Sequence, residues 1–300
     1  MFSISLGDRT AKLMKSKRRP GRYELSVDGI PQSVVSMIEP TALEYAYIQH
    51  IARAMDAAAA PGTPLFTVHL GAGALTLARY VEATRPGSPQ LAVEFEPDLY
   101  AAMIDALPLA PGTDLRVIFG DARAVADAEL PDEARSSAPS SPALADVATG
   151  NSAVDAEWVD ADFTVVDLWD AAVIRHRVAS LEFYRRVAAR SSADGVVAVN
   201  LLDGHPFEYS RRQAATLRRV FAHIAVVLDA EPHDDEGPLG NVVVFASDAP
   251  LAIVTNPEML GVPRPHLLHG GALTSWIGDA RIMTDADGTD SPDPDDPVWD

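Results

Sequence analysis

The chain has 300 residues, 47% of them hydrophobic, with 43 acidic against 24 basic side chains, a formal net charge of −19 and a mean hydropathy of +0.02. That size and apolar content fit one large α/β domain with an appendage, or two small domains, while the charge argues against a nucleic-acid partner and favours a small cationic one. No apolar run is long enough to span a bilayer and no continuous apolar segment near the start marks a signal peptide. The absence of cysteine excludes a disulfide framework and thiolate-held zinc, so a cytoplasmic protein is expected.

Taken in order, residues 1–20 read as a flexible basic arm. RYELSVDG and IPQSVVSMI alternate as two strands joined at the hairpin dipeptide Asp28-Gly29. With a helix in LEYAYIQHIARAMDAA, N-capped by Thr41, they make a small N-terminal β region over 21–58. Over 59–250 strand and helix patterns alternate. LFTVHL precedes a helix at 74–84, LAVEFE a helix at 97–107, and DLRVIFGD is a third strand. The Ala-, Ser-, Pro- and acid-rich segment 130–160 has no sustained period and reads as a flexible insertion. DFTVVDLWD is a fourth strand followed by a helix at 176–190, and GVVAVNLL a fifth followed by a helix at 207–221. AHIAVVLDA and GNVVVFAS have no helix between them and read as an antiparallel hairpin at one sheet edge. Residues 251–300 form a C-terminal extension. It is mixed as far as 282, and from about 284 it is crowded with aspartate and expected to be disordered.

Repeated strand–helix units imply a mostly parallel, seven-stranded Rossmann-like sheet with helices on both faces, and ligands in such sheets bind beyond the carboxyl ends of the strands. Gly71, Glu94, Asp121 and Asp167 all fall at those ends. In LFTVHLGAGA the Gly71-Ala-Gly73 turn frees backbone N–H groups at a helix start. Glu94 stands where a carboxylate accepts ribose hydroxyls. In Gly120-Asp121-Ala122 the carboxylate is placed for an adenine amino group and the Ala122 N–H for a ring nitrogen. The turn GAGALT lacks the third glycine of a dinucleotide fingerprint, and no GxxxxGK[ST] cradle is present. The pattern therefore suits an adenosine ligand without a pyrophosphate, of the S-adenosylmethionine type. Asp167 and Asp170 flank Leu168-Trp169 at the fourth strand end, where carboxylates can steady a sulfonium or take a proton from an amine. Trp169 reads equally as a pocket wall or a core aromatic. The eight histidines are scattered with no metal-ligand spacing, and there is no GxSxG elbow, so neither a metal site nor a serine hydrolase is expected.

The order of these pieces over residues 22 to 248 resembles the spermidine synthase family of polyamine aminopropyltransferases, its shorter actinobacterial-type relatives in particular. VDGIPQS is similar to the family's N-terminal hairpin, LEYAYIQHI to the segment of its substrate-channel tyrosine, and LGAGALTLAR to its glycine-rich turn. AVEFE stands for the ribose-binding acidic strand, FGDAR for the adenine-binding Gly-Asp, and VVDLWD for the Asp-x-x-Asp-Pro loop. The resemblance implies a methyltransferase-like core behind a small β domain, with Gln32 at the nucleoside, Tyr47 in the amine channel, Asp167 as base and Asp170 as an amine-contacting acid. It implies transfer of an aminopropyl group from decarboxylated S-adenosylmethionine to putrescine or a related amine, and a possible homodimer. Three positions depart from the pattern: Ala74 replaces the turn's aspartate, Asp170-Ala171 replaces Asp-Pro, and Ile48 replaces a polar residue after the channel tyrosine. Two other readings stand beside this one. One is a methyltransferase using ordinary S-adenosylmethionine, and the other a non-catalytic binder of methylthioadenosine or polyamine.

Overall fold

The computed structural model describes residues 1–130, 158–170, 172–234 and 237–294. Most of the insertion expected over 130–160 therefore lies outside the described residues, as does Ala171.

The N-terminal segment is not a flexible arm. β1 (Phe2–Leu6), β2 (Arg9–Lys15), β3 (Arg22–Val27) and β4 (Ile30–Ser36) form an antiparallel meander. Its first hairpin turns at Gly7-Asp8, with Leu6 opposite Arg9. Its last turns at Asp28-Gly29, both in the left-handed region at φ 51° and 87° that a primed turn requires. Leu6, Ala11 and Leu13 are buried together with Leu25, Val27 and Val35, while Lys12 and Lys15 face outward. The basic residues that suggest a mobile arm thus lie on and just beyond a pleated strand, and Ala11 and Leu13 between them supply the apolar face that holds it down.

The helix after the meander, α1 (Ala46–Ala58), starts behind Tyr45 rather than Thr41. Glu44 is drawn instead into ion pairs with Arg19 and Arg22, and Gln49 Nε2 donates to the Leu43 carbonyl at 2.9 Å, so the preceding turn stays non-helical.

The core sheet has β5 (Thr67–Leu70), β6 (Gln90–Glu94), β7 (Leu115–Phe119), β8 (Ala161–Val166), β9 (Ser191–Asp203), β10 (His223–Leu228), β11 (Gly240–Ser247) and β12 (His266–His269). Their order is β12-β10-β11-β9-β8-β5-β6-β7, and the five strands from β9 to β7 run parallel. The fold is the expected Rossmann-like α/β architecture, with one strand more. The β10–β11 hairpin is antiparallel, but β12, from the stretch 251–282, pairs outside it and takes the edge. β12 is only four residues long, too short for alternation to announce it.

Each strand splits its side chains between two apolar layers. Val197, Val199, Val226 and Val244 pack on one face with Phe183, Leu217 and Trp276. Val165, Ala198, Val227 and Phe245 pack on the other with Ile51, Met55 and Val81. The helices that cover these faces include α2 (Thr76–Thr84), α4 (Ala122–Asp127), α5 (Leu181–Ala188), α6 (Glu208–Leu217), α7 (Ala252–Thr255) and α8 (Gly270–Ile277), while α3 (Pro97–Ala106) packs against the meander. The helix expected at 176–190 is cut at its start: Ser180 Oγ accepts the Phe183 N–H and caps α5, leaving His176–Val178 as a separate 3-10 turn.

The acidic tail, expected to be disordered from about 284, is placed as far as residue 294, and ion pairs and hydrogen bonds rather than apolar burial hold it. Asp285 receives two bonds of 2.7 Å from Arg123, Asp290 pairs with Arg175 at 2.9 Å, and Ser291 bonds the backbone of Ile174 in both directions. Composition alone reports what a segment can bury, and so misses partners supplied by other elements.

Candidate active site

The chain runs outward from β5 through β6 to β7, then returns to lay β8 against β5 on its other side. This is the switch point at which an open α/β sheet leaves a crevice. Gly71 follows β5 and Asp167 follows β8, so the two meet across it. Gly71 has φ +90°, and a Cβ there would stand 2.3 Å from the Asp167 carbonyl oxygen. This glycine is therefore demanded by the neighbouring backbone, not only by an approaching ligand.

Two cavities, of about 500 and 410 Å³, open on either side of this junction. Gln32, Gly71, Gly73, Asp167 and Trp169 line both. The smaller also holds Glu94, Asp121, Ala122 and Asp170; the larger holds Tyr47, Tyr45 and Ile48. All ten residues singled out in the sequence thus border one connected site. Ala74 does not. It is buried in the apolar cluster between the meander and α3.

Glu94 is buried, and its two oxygens accept the N–H groups of Ala72 at 3.1 Å and Glu96 at 2.8 Å. Burial raises its pKa against the pull of these backbone donors. The carboxylate therefore braces the glycine turn while keeping lone pairs for hydroxyl groups. Asp121 is more committed than the sequence suggests: one oxygen caps α4 through the Ala124 N–H at 2.9 Å, and the other pairs with Arg177 at 2.8 Å.

Asp170 departs from the amine-contacting place that the resemblance implies. It lines the smaller cavity, is half-exposed, and is held by Arg175 at 2.9 Å and Arg9 at 3.5 Å. Arg9 also reaches Glu96 at 2.6 Å, so the meander is tied to the ends of β6 and β8 through one guanidinium. Five acids and three arginines border this cavity, so its rim is mixed in charge rather than simply acidic.

Asp167 has a different environment. Its Oδ1 accepts from Trp169 Nε1 at 2.6 Å and Asn200 Nδ2 at 2.8 Å, and its Oδ2 accepts the Tyr47 hydroxyl at 3.3 Å. All three donors are neutral, and among the described residues no cationic side chain pairs with it. Burial pushes its pKa up, partly offset by Asn200, Trp169 and Tyr47 in that order. The Tyr47 hydroxyl is pushed well above its usual range by burial and by this carboxylate, so it remains a donor. A buried anion with neutral support attracts a cation and is also a competent proton acceptor.

The sequence reading misses Asn200 and Asn241. Asn241 Nδ2 donates to Asn200 Oδ1 at 3.1 Å, which fixes the amide so that its nitrogen faces Asp167. The signal was a lone amide inside each of two apolar strands, GVVAVNLL and GNVVVF. The reading also misses Arg9, Arg175 and Arg177, which are ordinary surface arginines until the fold gathers them. Asn200→Ala is expected to move the acid limb of the pH–rate profile upward, because a donor that favours the carboxylate is lost; an unmoved limb would show that Asn200 does not act on Asp167.

Among the described residues no group of three potential ligands stands ready for a metal ion, and no helix is long and apolar enough to cross a membrane.

No protein-family model matches the sequence, and no curated protein matches it. Solved structures do match. A probable spermidine synthase from Corynebacterium glutamicum ATCC 13032 superposes with a TM-score of 0.77 at 20% identity, covering 95% of this chain and 96% of that one. A spermidine synthase in complex with the transition-state analogue AdoDATO gives 0.54 at 12% identity, over 96% and 81%. The spermidine synthase of Thermotoga maritima gives 0.50 at 12%, over 83% and 72%. At such identities the likeness speaks for the fold, and the fold this chain carries is that of the spermidine synthases.

Proposed function

We propose that the chain is a transferase that aligns an adenosyl sulfonium in the smaller cavity with an amine in the larger, and moves an aminopropyl group from decarboxylated S-adenosylmethionine to the amine. The observation that carries this reading is Asp167, a buried carboxylate with only neutral support, on the wall the two cavities share. The solved neighbours, one of them bound to a transition-state analogue, are consistent with it.

In this reading Glu94 receives the ribose hydroxyls, and the turn at Gly71 and Gly73 leaves room for the chain that carries sulfur. The amine nitrogen attacks the methylene carbon bonded to the sulfonium. The C–S bond breaks with its electron pair going to sulfur, and methylthioadenosine leaves as a neutral thioether. Asp167 takes the proton that the nitrogen sheds, and Tyr47, Asn200 and Trp169 hold its oxygens in place. Because the donor is cationic and the thioether neutral, apolar walls around the reacting atoms favour discharge of the cation.

A second reading, methyl transfer from ordinary S-adenosylmethionine, is favoured by the turn's having alanine at position 74 and so no acidic side chain to repel a donor that carries a carboxylate. Thermal shift separates the two. The aminopropyl reading expects decarboxylated S-adenosylmethionine to raise the melting temperature more than S-adenosylmethionine at equal concentration, since of two ligands that bind the native state the tighter stabilises it more. The opposite ranking would replace it with the methyltransferase reading.

A further inference from the structure

Resting on the transfer reading, we infer that His69 holds the far end of the acceptor amine, its Nδ1 lone pair accepting a hydrogen bond from a second N–H or O–H group of that substrate. In the sequence His69 is one of eight scattered histidines, and the transfer step leaves it unused. The fold sets it in the wall of the larger cavity, which it shares with the apolar side chains of Ile48, Leu77 and Val165.

The ring's tautomer is fixed by its neighbour. Gln90 Nε2 donates to the Ala78 carbonyl at 3.2 Å, so Gln90 Oε1 is the atom that faces His69 Nε2 at 3.0 Å. An amide oxygen only accepts, and the imidazole therefore carries its proton on Nε2. Burial lowers the pKa to about 4 against a smaller opposing pull from Gln90, so at neutral pH the ring is uncharged and Nδ1 keeps a bare lone pair. Among the described residues Nδ1 has no hydrogen-bond partner, yet it is not sealed in protein as the stranded Nδ1 atoms of His50 and His205 are. In a residue that lines the cavity, such a lone pair opens on the cavity.

Its place relative to Asp167 suits one substrate spanning both. Val68 and Leu70 turn to one face of the sheet, while His69 stands opposite Val165, which packs on the other. Asp167 lies two residues beyond Val165, and its N–H continues the ladder to the Leu70 carbonyl. Two residues of strand set the rows of His69 and Asp167 roughly 7 Å apart, about the span of a four-carbon chain with a heteroatom at each end. An attacking nitrogen at Asp167 thus brings the other end of such a chain to Nδ1. A methyl group there would leave the acceptor unpaired in an apolar wall, and that penalty is what gives His69 its selectivity.

The test compares 4-aminobutan-1-ol with pentylamine. They differ by a hydroxyl in place of the terminal methyl and carry the same single charge, so the comparison does not turn on where a second anion stands. Each is titrated calorimetrically into the full chain saturated with methylthioadenosine, as wild type and as His69→Leu. The expected result is that the wild type prefers the amino alcohol, and that the ratio of the two affinities falls about tenfold in the variant. Because His69→Leu strands Gln90 Oε1, the same titrations are made on His69→Leu with Gln90→Met, which removes both partners, and the same fall is expected. A ratio that stays at the wild-type value in both variants overturns the inference, since a purely structural role weakens both amines together. A wild type that shows no preference, or binds neither amine, overturns it as well. The parent reading fails separately, if no amine releases methylthioadenosine from the decarboxylated donor.

Discussion

Asp167→Asn is expected to lower the rate of transfer by roughly 10²- to 10⁴-fold without lowering the melting temperature. Asparagine has the volume of aspartate and fits the same bonds. Its oxygen can accept from Trp169 and Asn200, and its amide can donate to the hydroxyl oxygen of Tyr47, in place of the bonds now made at 2.6, 2.8 and 3.3 Å. What disappears is the charge. The carboxyl pKa is raised in the folded chain, chiefly by burial, so the charged form opposes folding at pH values above that pKa. The penalty fades as pH falls through the folded value and the group takes up its proton. Removing the carboxylate removes this penalty, so the variant's melting temperature at neutral pH should equal or exceed that of the wild type, and the gap should close on acidification. Rate assays and calorimetric melts at pH 5 and pH 8 check both halves. A variant that transfers at the wild-type rate excludes Asp167 as the base. A variant that is both inactive and markedly less stable would mean that the carboxylate is structural.

Gly71→Ala is expected to damage stability and activity together. The residue sits at φ +90°, where a side chain is strained, and its new Cβ would fall 2.3 Å from the backbone oxygen of Asp167. Backbone cannot swing aside as a flexible side chain does, so the ends of β5 and β8 must separate. The cost is about 2–4 kcal/mol. The same movement displaces Asp167 from Asn200 and Tyr47, so transfer should fall by more than the lost population of folded protein explains. Gly73→Ala is a milder comparison: its φ of +50° is also left-handed, but its Cβ would meet only the Ser33 hydroxyl, at 3.0 Å, and no backbone. Denaturant unfolding and rate measurements at a temperature where both variants are folded separate the effects. A Gly71→Ala chain with wild-type stability would contradict the strand-end geometry.

The core of the fold was legible because its signals are local. Short β-branched runs ending in Gly71, Glu94, Gly120 and Asp167 give the strand ends, and Asp28-Gly29 gives a hairpin whose dihedrals are as that dipeptide requires. Elements held by distant partners were not legible. Leu6, Ala11 and Leu13 look like part of a basic arm until α3 provides Leu99 and Met103 to bury them. The tail beyond residue 284 looks unstructured until Arg123 and Arg175 reach it. In the site, the ten residues chosen from strand ends and resemblance do gather around one junction, yet their partners were invisible. No spacing rule joins Asn200 to Asp167 across 33 positions, or brings Arg9 to Asp170 across 161. That pairing by arginine holds Asp170 on the smaller cavity rather than the larger one.

The central claim is a nucleoside slot between Glu94 and Asp121 that opens onto Asp167, and a crystal structure of the chain with methylthioadenosine tests it most directly. The expected result has the ribose hydroxyls on Glu94, the adenine against Gly120–Ala122, and the thioether sulfur directed at the wall formed by Asp167 and Trp169. A nucleoside bound in another place, or a crystal saturated with ligand in which this cavity holds only water, would contradict it.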